Sequence, residues 1–315
     1  MKLLVTGGLG FIGSNFIDHI LKVDETVEVL NVDKINYVAR EYNVSAQPRY
    51  RFVQGDITEV FHMTALLKEF EPDVMVNFAA QTSVDESFVR SFDFTNDNVL
   101  GTHVILEALR SYGKIKKFIH ISTDEIYGEA DRCAISNEDS PLNPTNPYSA
   151  SKAASELYVR AYGHSYNIPW IITRGNNVFG PKQYPEKVVP LFINRLLDGE
   201  NCSIHGDGEA KRSFIFVDDV SKAIKCLIDR GTIHKIYNVG SRHEYSVMEI
   251  LKKIADMVGV PPLYTHVPDR QFNDCRYCID SSEMKKLGWA ESLDFDADLV
   301  KTIEWYKTNR YWYRT

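Results

Sequence analysis

The sequence predicts an α/β fold: a doubly wound parallel sheet followed by a smaller α/β unit, and two features of its 315 residues carry that prediction. The first is rhythm. Short apolar runs at residues 3–6, 27–32, 50–54, 74–79, 117–122 and 170–174 alternate with helical patterns, notably at 11–21, 63–70, 93–111 and 148–166. Strands separated by helices build βαβ units, and the resulting parallel sheet is covered on both faces. The second feature is a glycine-rich turn, Thr6-Gly7-Gly8-Leu9-Gly10-Phe11-Ile12-Gly13, which leaves the first apolar run and enters the first helical pattern.

That turn sets the chemistry of the first half. Gly7 permits the tight turn, Gly10 lets backbone approach a pyrophosphate, and Gly13 lets helix and strand pack closely. The pyrophosphate then rests on the unsatisfied amides of the helix N-terminus, where Phe11 and Ile12 lie. The spacing is G-x-x-G-x-x-G, one residue wider than the usual dehydrogenase form. The second run ends at Asp33, twenty residues past Gly13, placed to accept hydrogen bonds from a ribose. An unphosphorylated ribose, hence NAD, is the expectation; Lys34 and Arg40 nearby leave NADP open. The third run closes on Asp56-Ile57, with Asp56 facing an adenine amino group. The fourth closes on Ala79-Ala80, small enough for a cofactor to lie against backbone. Ligands of open α/β sheets bind at the carboxyl ends of strands, so consecutive strand ends of this kind predict an NAD-binding Rossmann domain.

The fifth run, 117–122, ends in Thr123-Asp124-Glu125, a hydroxyl and two carboxylates. Tyr148 and Lys152 follow, one helical turn apart and therefore on one face. A protonated lysine beside a phenol favours the phenolate, so Tyr148 is expected to titrate below its usual value of about 10. It would then act as the base that removes a hydroxyl proton while a hydride leaves the same carbon.

Together, Gly7-x-x-Gly10-x-x-Gly13, the strand-end Thr123 and Tyr148-x-x-x-Lys152 resemble the extended short-chain dehydrogenase/reductase superfamily. Ser122-Thr123-Asp124-Glu125-Ile126-Tyr127-Gly128 is similar to the nucleotide-sugar 4,6-dehydratases within it, as are Ala79–Asp85, Asn146-Pro147-Tyr148 and Gln183-Tyr184-Pro185-Glu186-Lys187. The resemblance implies conversion of UDP-glucose or dTDP-glucose to the 4-keto-6-deoxy sugar nucleotide, on a route to deoxysugars such as rhamnose. It makes Tyr148 the base at the C4 hydroxyl, Thr123 a donor to O4, Glu125 the base at C5 and Asp124 the acid at O6, with Lys152 supporting Tyr148. Substrate contacts implied in the same way are Ser83, Asp85, Asn177, Glu186, Lys187, Val188, Arg212, Asn238, Arg270 and Asn273. The chain departs from the family at Ser83, which often is histidine, and at Asn273, where bacterial thymidylyl-sugar enzymes resemble one another in having histidine. Asn273 resembles the UDP-glucose enzymes, which tilts the expectation towards UDP-glucose. An NAD-dependent 4-epimerase or decarboxylase on the same scaffold is the alternative.

Past Arg174 the βα rhythm loosens. A helix at 188–197, a strand and turn at 203–208, and a C-terminal amphipathic helix at 296–308 are expected. Segments 214–218 and 235–240 should return to the nucleotide domain. The expected division is thus residues 1–175 plus about 212–242 for the cofactor, and about 176–211 with 243–315 for the sugar nucleotide. Residues 268–277 should close over the nucleotide. The resemblance also implies a homodimer pairing the helices at 93–111 and 148–166.

A net charge of −7 gives no footprint for nucleic acid or anionic membrane. No apolar run approaches the roughly 20 residues that span a bilayer, and the N-terminus opens on a strand pattern rather than a signal peptide. Cys133, Cys202, Cys226, Cys275 and Cys278 are scattered and odd in number, which fits reduced thiols and a cytoplasmic protein. Cys275 and Cys278 lack the second pair that a zinc site needs, so no metal is expected.

Overall fold

The computed structural model describes residues 1–129, 135–268 and 278–313. In chain order its first six strands are β1 (Lys2–Thr6), β2 (Glu28–Asp33), β3 (Tyr50–Gln54), β4 (Val74–Asn77), β5 (Lys117–Thr123) and β6 (Trp170–Gly175). They are followed by β7 (Asn177–Phe179), β8 (Cys202–His205), β9 (Lys211–Phe216), β10 (Lys235–Val239), β11 (Glu244–Ser246) and β12 (Tyr264–Val267). Seven of them form one sheet in the order β10-β6-β5-β4-β1-β2-β3. Every pairing in it is parallel.

The near-continuous apolar character of these strands has a direct cause. Successive side chains of a strand point to opposite faces, and here both faces are covered. Leu3, Val5, Val76, Ile119 and Ile171 pack into one core, whereas Leu4, Met75, Phe118 and Ile172 pack into the other. Helices Phe11–Val23 and Val217–Arg230 lie against the first layer, and Val60–Phe70, Gly101–Tyr112 and Pro147–Tyr166 against the second. The strand order reverses between β1 and β4, so a crevice opens at their carboxyl ends.

The sheet expected at the N-terminal half is present, with boundaries shifted by a residue or two. The helical pattern at 93–111 is interrupted. It comprises Ser91–Phe94, a wider π-helical segment at Thr95–Leu100, and Gly101–Tyr112. A π segment adds a residue to the turn and turns its side chains inward, a device common beside functional sites. Here it buries Asp97 and Asn98. Segment 214–218 ends β9 in a three-stranded sheet, β11-β9-β7, and starts helix Val217–Arg230, which packs on the large sheet. Strand β10 pairs with β6 in the large sheet. The remaining strands pair as β12-β8, and a third core gathers Phe179, Phe192, Ile204, Phe214, Leu251 and Phe295 around them. Cys202 and Cys226 are free thiols, while Cys133 and Cys275 lie outside the described residues. Among the described residues no group of three or more potential ligands is placed to hold a metal, and no helix is long and apolar enough to cross a membrane.

Candidate active site

A cleft of about 1120 Å³ runs along the carboxyl edge of the large sheet and continues between it and the segments after β6. Its floor is the glycine turn. Gly7 adopts φ +71°, a conformation that side chains avoid, and a Cβ there would stand 2.5 Å from the Ala79 amide nitrogen. A Cβ on Gly13 would stand 2.5 Å from the Gly7 carbonyl oxygen, so this glycine is what lets the helix sit on the turn. Helix Phe11–Val23 starts at Gly10 with no side-chain cap. The amides of its first turn, Phe11 and Ile12 among them, have no acceptor within the helix and border the cleft. Backbone amides in a side-chain-free cradle fit a dinucleotide diphosphate.

Asp33, Ile57, Ala79 and Ala80 line the same cavity. The Asp33 carboxylate accepts from the amides of Leu9 (3.0 Å) and Ile35 (2.9 Å). Burial nonetheless pushes its pKa upward. Lys34 is held by Asp97 at 2.6 Å and Asp56 at 3.6 Å. Asp56 itself bonds the amide and hydroxyl of Thr58, both at 2.9 Å, and does not line the cleft. Thr58 thus engages Oδ1 of Asp56, while Oδ2 faces Lys34. The π segment reinforces this wall: Asp97 and Asn98 bond the side chain, amide and carbonyl of Gln81.

Thr123, Glu125, Tyr148 and Lys152 meet in the middle of the cleft. Thr123 ends β5 and caps the single turn Asp124–Tyr127, its hydroxyl accepting from the Glu125 amide at 3.3 Å. Helix Pro147–Tyr166 is started by Asn146, whose side-chain oxygen accepts from Ser149 at 2.8 Å, with proline in the first turn. The same Asn146 side chain donates to Glu125 Oε2 at 3.2 Å. The cap that begins the helix thus also holds a carboxylate of the neighbouring turn.

Asp124 is 3 % exposed and stands behind the wall rather than on it. Its Oδ2 accepts from Asn176 Nδ2 at 2.7 Å, and the Thr123 hydroxyl lies 3.3 Å from Oδ1. Burial pushes its pKa up to about 6, with the Asn176 and Thr123 hydrogen bonds and Arg212 pulling the other way. Asp124 therefore keeps its proton to a higher pH than an ordinary aspartate.

Tyr148 departs from the sequence expectation. Its phenol is raised, first by burial, then by Glu125 and, more weakly, Asp124, with Thr123 opposing them. Lys152 donates its ammonium to the Ile121 carbonyl at 2.6 Å, and burial lowers its own pKa to about 8 against the pull of Glu156. Desolvation and two nearby carboxylates thus favour the neutral phenol of Tyr148.

Ser83, Asp85, Asn177, Glu186, Lys187, Val188 and Arg212 all line the cleft. Lys187 reaches the Thr82 carbonyl at 3.3 Å, and the Tyr37 hydroxyl stands 3.3 Å from Glu186, so both segments bridge across the opening. Asn238 is the exception. It is fully buried, accepts from the Tyr127 hydroxyl at 2.8 Å and donates to the carbonyls of Ser136 and Asp280. Its side chain ties the turn after β5 to β10. Arg270 and Asn273, and with them the segment expected to close over the nucleotide, lie outside the described residues.

Sequence reasoning missed three residues. Asn176 reads in the sequence as one of a turn-forming pair. Glu156 and Arg174 form a buried ion pair at 2.7 Å, 0 % and 1 % exposed, and Arg174 also donates to the Tyr127 hydroxyl at 2.8 Å. A buried arginine beside an acid from another element has no local signature, because the partners lie 18 residues apart in the chain.

A family model described as GDP-mannose 4,6 dehydratase matches residues 4–302. A trifunctional UDP-glucose 4,6-dehydratase, UDP-4-keto-6-deoxy-D-glucose 3,5-epimerase and UDP-4-keto-L-rhamnose-reductase of Arabidopsis thaliana is 42 % identical over 99 % of this chain and 48 % of its own. The chain thus spans about half the length of that relative. A dTDP-D-glucose 4,6-dehydratase of Mus musculus is 41 % identical over 98 % of this chain and 89 % of its own. The crystal structure of a dTDP-glucose 4,6-dehydratase from Streptomyces venezuelae, solved with NAD bound, superposes with a TM-score of 0.95. It is 37 % identical and covers 99 % of each chain.

Proposed function

The chain belongs to the GDP-mannose 4,6 dehydratase family, the nucleotide-sugar 4,6-dehydratases of the extended short-chain dehydrogenase/reductases, and we propose that it converts UDP-glucose or dTDP-glucose to the 4-keto-6-deoxy-glucose nucleotide with NAD as its cofactor. The observation that carries this reading is the pair Asp124–Glu125 beside Thr123, Tyr148 and Lys152. Asp124 is buried with its pKa raised, while Glu125 is at the cleft wall.

The residues divide the work. The glycine turn and the Phe11 and Ile12 amides hold the diphosphate, and Asp33 the adenosine ribose. Lys34 is already neutralised by two acids, which supports NAD over NADP. Bound NAD supplies the acceptor for the C4 hydride and a positive charge beside the phenol. That charge, with the Lys152 ammonium, draws Tyr148 down from its raised resting value so that it takes the O4 proton, while Thr123 donates to O4. The C4 ketone acidifies the neighbouring C5–H, and Glu125 takes that proton. The C6–O bond then breaks as Asp124 passes its proton to the leaving hydroxyl, which departs as water. The hydride returns to C6, and Glu125 gives its proton back to C5, so the cofactor ends as it began. Asn177, Lys187 and Arg212 are assigned to the diphosphate of the substrate, a role suited to their charge and place in the cleft.

The reading extends to organisation. Residues 1–175 with about 212–242 serve as the cofactor unit, and the rest holds the sugar nucleotide. A homodimer through the helices at 93–111 and 148–166 is supported by apolar surface there and just before it: Phe92 is 88 %, Leu157 54 % and Leu100 46 % exposed. Free thiols at Cys202 and Cys226 support a cytoplasmic setting. Incubation with UDP-glucose and dTDP-glucose in turn, followed by the alkali-induced absorbance of a 4-keto-6-deoxy sugar, tests the function. Formation of an epimer or a pentose nucleotide instead would refute it.

A further inference from the structure

Asp97 is a buried carboxylate to which the sugar chemistry gives no role. It belongs to the π segment Thr95–Leu100, is 6 % exposed and lines the cleft. Its Oδ2 accepts from Lys34 Nζ and from Gln81 Nε2, both at 2.6 Å, and its Oδ1 from Asn96 Nδ2 at 3.1 Å. Burial works against the Lys34 ammonium, but Asp97, ahead of Asp56, more than offsets it, so the lysine pKa is raised. Lys34 is thus a charged group whose charge is already engaged by a carboxylate 63 residues away in the chain.

Lys34 is also the cation on which acceptance of NADP depends. It directly follows Asp33, the end of β2. In Rossmann domains the acid at that strand end takes the ribose hydroxyls, and a neighbouring cation is what accommodates a 2′-phosphate. Among the described residues the lysines and arginines lining the cleft are Lys34, Lys152, Lys187 and Arg212. Only Lys34 lies on the segment after β2. Arg40 does not line the cleft. Its Nη1 donates to the carbonyls of Tyr37 and Ala39, both at 2.8 Å, and its guanidinium lies 6.0 Å from the Tyr184 ring.

We propose that Asp97 is a specificity-determining residue for the cofactor: by holding Lys34 it denies a 2′-phosphate its cationic partner and so disfavours NADP. An unphosphorylated ribose makes no demand on that lysine, so NAD binding does not depend on the pair. Asp33 and Asp56 also act on Lys34. With Asp97 they set three carboxylates around one ammonium, and a phosphate brought there meets net negative charge.

This inference rests on the NAD site and not on the dehydration chemistry, and its test is a binding measurement. Nucleotide-free protein is titrated with NAD and with NADP by calorimetry, at about 50 mM and about 500 mM salt. Asp97→Asn keeps the size of the side chain, removes its charge and leaves Lys34 free to swing on its four-carbon stem. At low salt NADP affinity should rise about 5- to 10-fold, while NAD affinity changes less than about 2-fold. Adding Lys34→Gln to Asp97→Asn should abolish the gain. A residue that only braced the wall through Gln81 would weaken both cofactors together. Equal movement of the two affinities, or a gain that survives loss of Lys34, would overturn the inference. Should Asp97→Asn fail to fold, the wild type decides. Screening helps a phosphate that faces net negative charge, so the ratio of NADP to NAD affinity should rise with salt. A flat or falling ratio overturns the inference and leaves the NAD site standing. A wild type that binds no NAD would remove the cofactor site, and the inference with it.

Discussion

Replacing Asp124 by Asn should make the protein more stable as it makes it inactive, and the size of the effect follows from burial. In the fold the Asp124 carboxyl is raised from 3.8 to about 6. A folded-state pKa above the unfolded one gives stability that is complete below the unfolded value and is lost as pH rises through the folded value. The gap of about two pH units, at 1.36 kcal/mol each, corresponds to ~3 kcal/mol of destabilisation above about pH 7 and under about 1 kcal/mol near pH 4. Asparagine carries no charge, keeps an oxygen for the Asn176 donor, and escapes this term. Melting curves of wild type and Asp124→Asn across pH should therefore nearly coincide near pH 4 and separate towards pH 8. At roughly 2 °C per kcal/mol for a chain of this size, the variant should melt about 6 °C higher at pH 8. A gap that does not widen with pH would refute the claim that Asp124 is held as a buried acid.

Three further outcomes follow from the same geometry. Glu125→Gln should still remove the C4 hydride, seen as reduced nicotinamide absorbance, while product formation falls about 100- to 10,000-fold; unchanged turnover would remove Glu125 from the C5 step. Arg174→Met should lose about 3–5 kcal/mol in denaturant unfolding because Glu156 is left charged and buried, and pairing it with Glu156→Leu should recover most of that loss; an additive double mutant would contradict the coupling. Gly13→Ala places a Cβ 2.5 Å from the Gly7 carbonyl, so NAD affinity measured by calorimetry should drop about 10-fold or more, and retained affinity would show that the turn does not set the cofactor site.

Much of this site can be read along the chain because its parts are local. The glycine turn, the acid at the end of β2 and the four-residue spacing of Tyr148 and Lys152 each need only one element to be recognised. What could not be read depends on distance in sequence or on desolvation. Asn146 joins a helix cap to Glu125, and Asn176 joins the segment after β6 to Asp124; both bonds cross between elements. The π segment at Thr95–Leu100 gives no hydrophobic period different from that of an α-helix over so few residues, yet it turns Asp97 and Asn98 onto Gln81. Asn238 lies near the carboxyl end of β10, but which way its amide faces is decided by the Tyr127, Ser136 and Asp280 groups around it. The direction of the Tyr148 shift depends on desolvation as well. Adjacency of Lys152 is visible in the sequence, whereas full burial beside Glu125 is a property of the folded cleft.

The central claim is that oxidation at C4 is coupled here to loss of water across C5 and C6, and isotope transfer reads it directly. UDP-glucose and dTDP-glucose carrying deuterium at C4 are each incubated with the protein and NAD, and the product is examined by NMR. The account predicts, for at least one of them, a 4-keto-6-deoxy sugar with the deuterium in its C6 methyl group. Deuterium found again at C4, on an intact C6 hydroxymethyl sugar, would contradict it and make the protein an epimerase on the same scaffold.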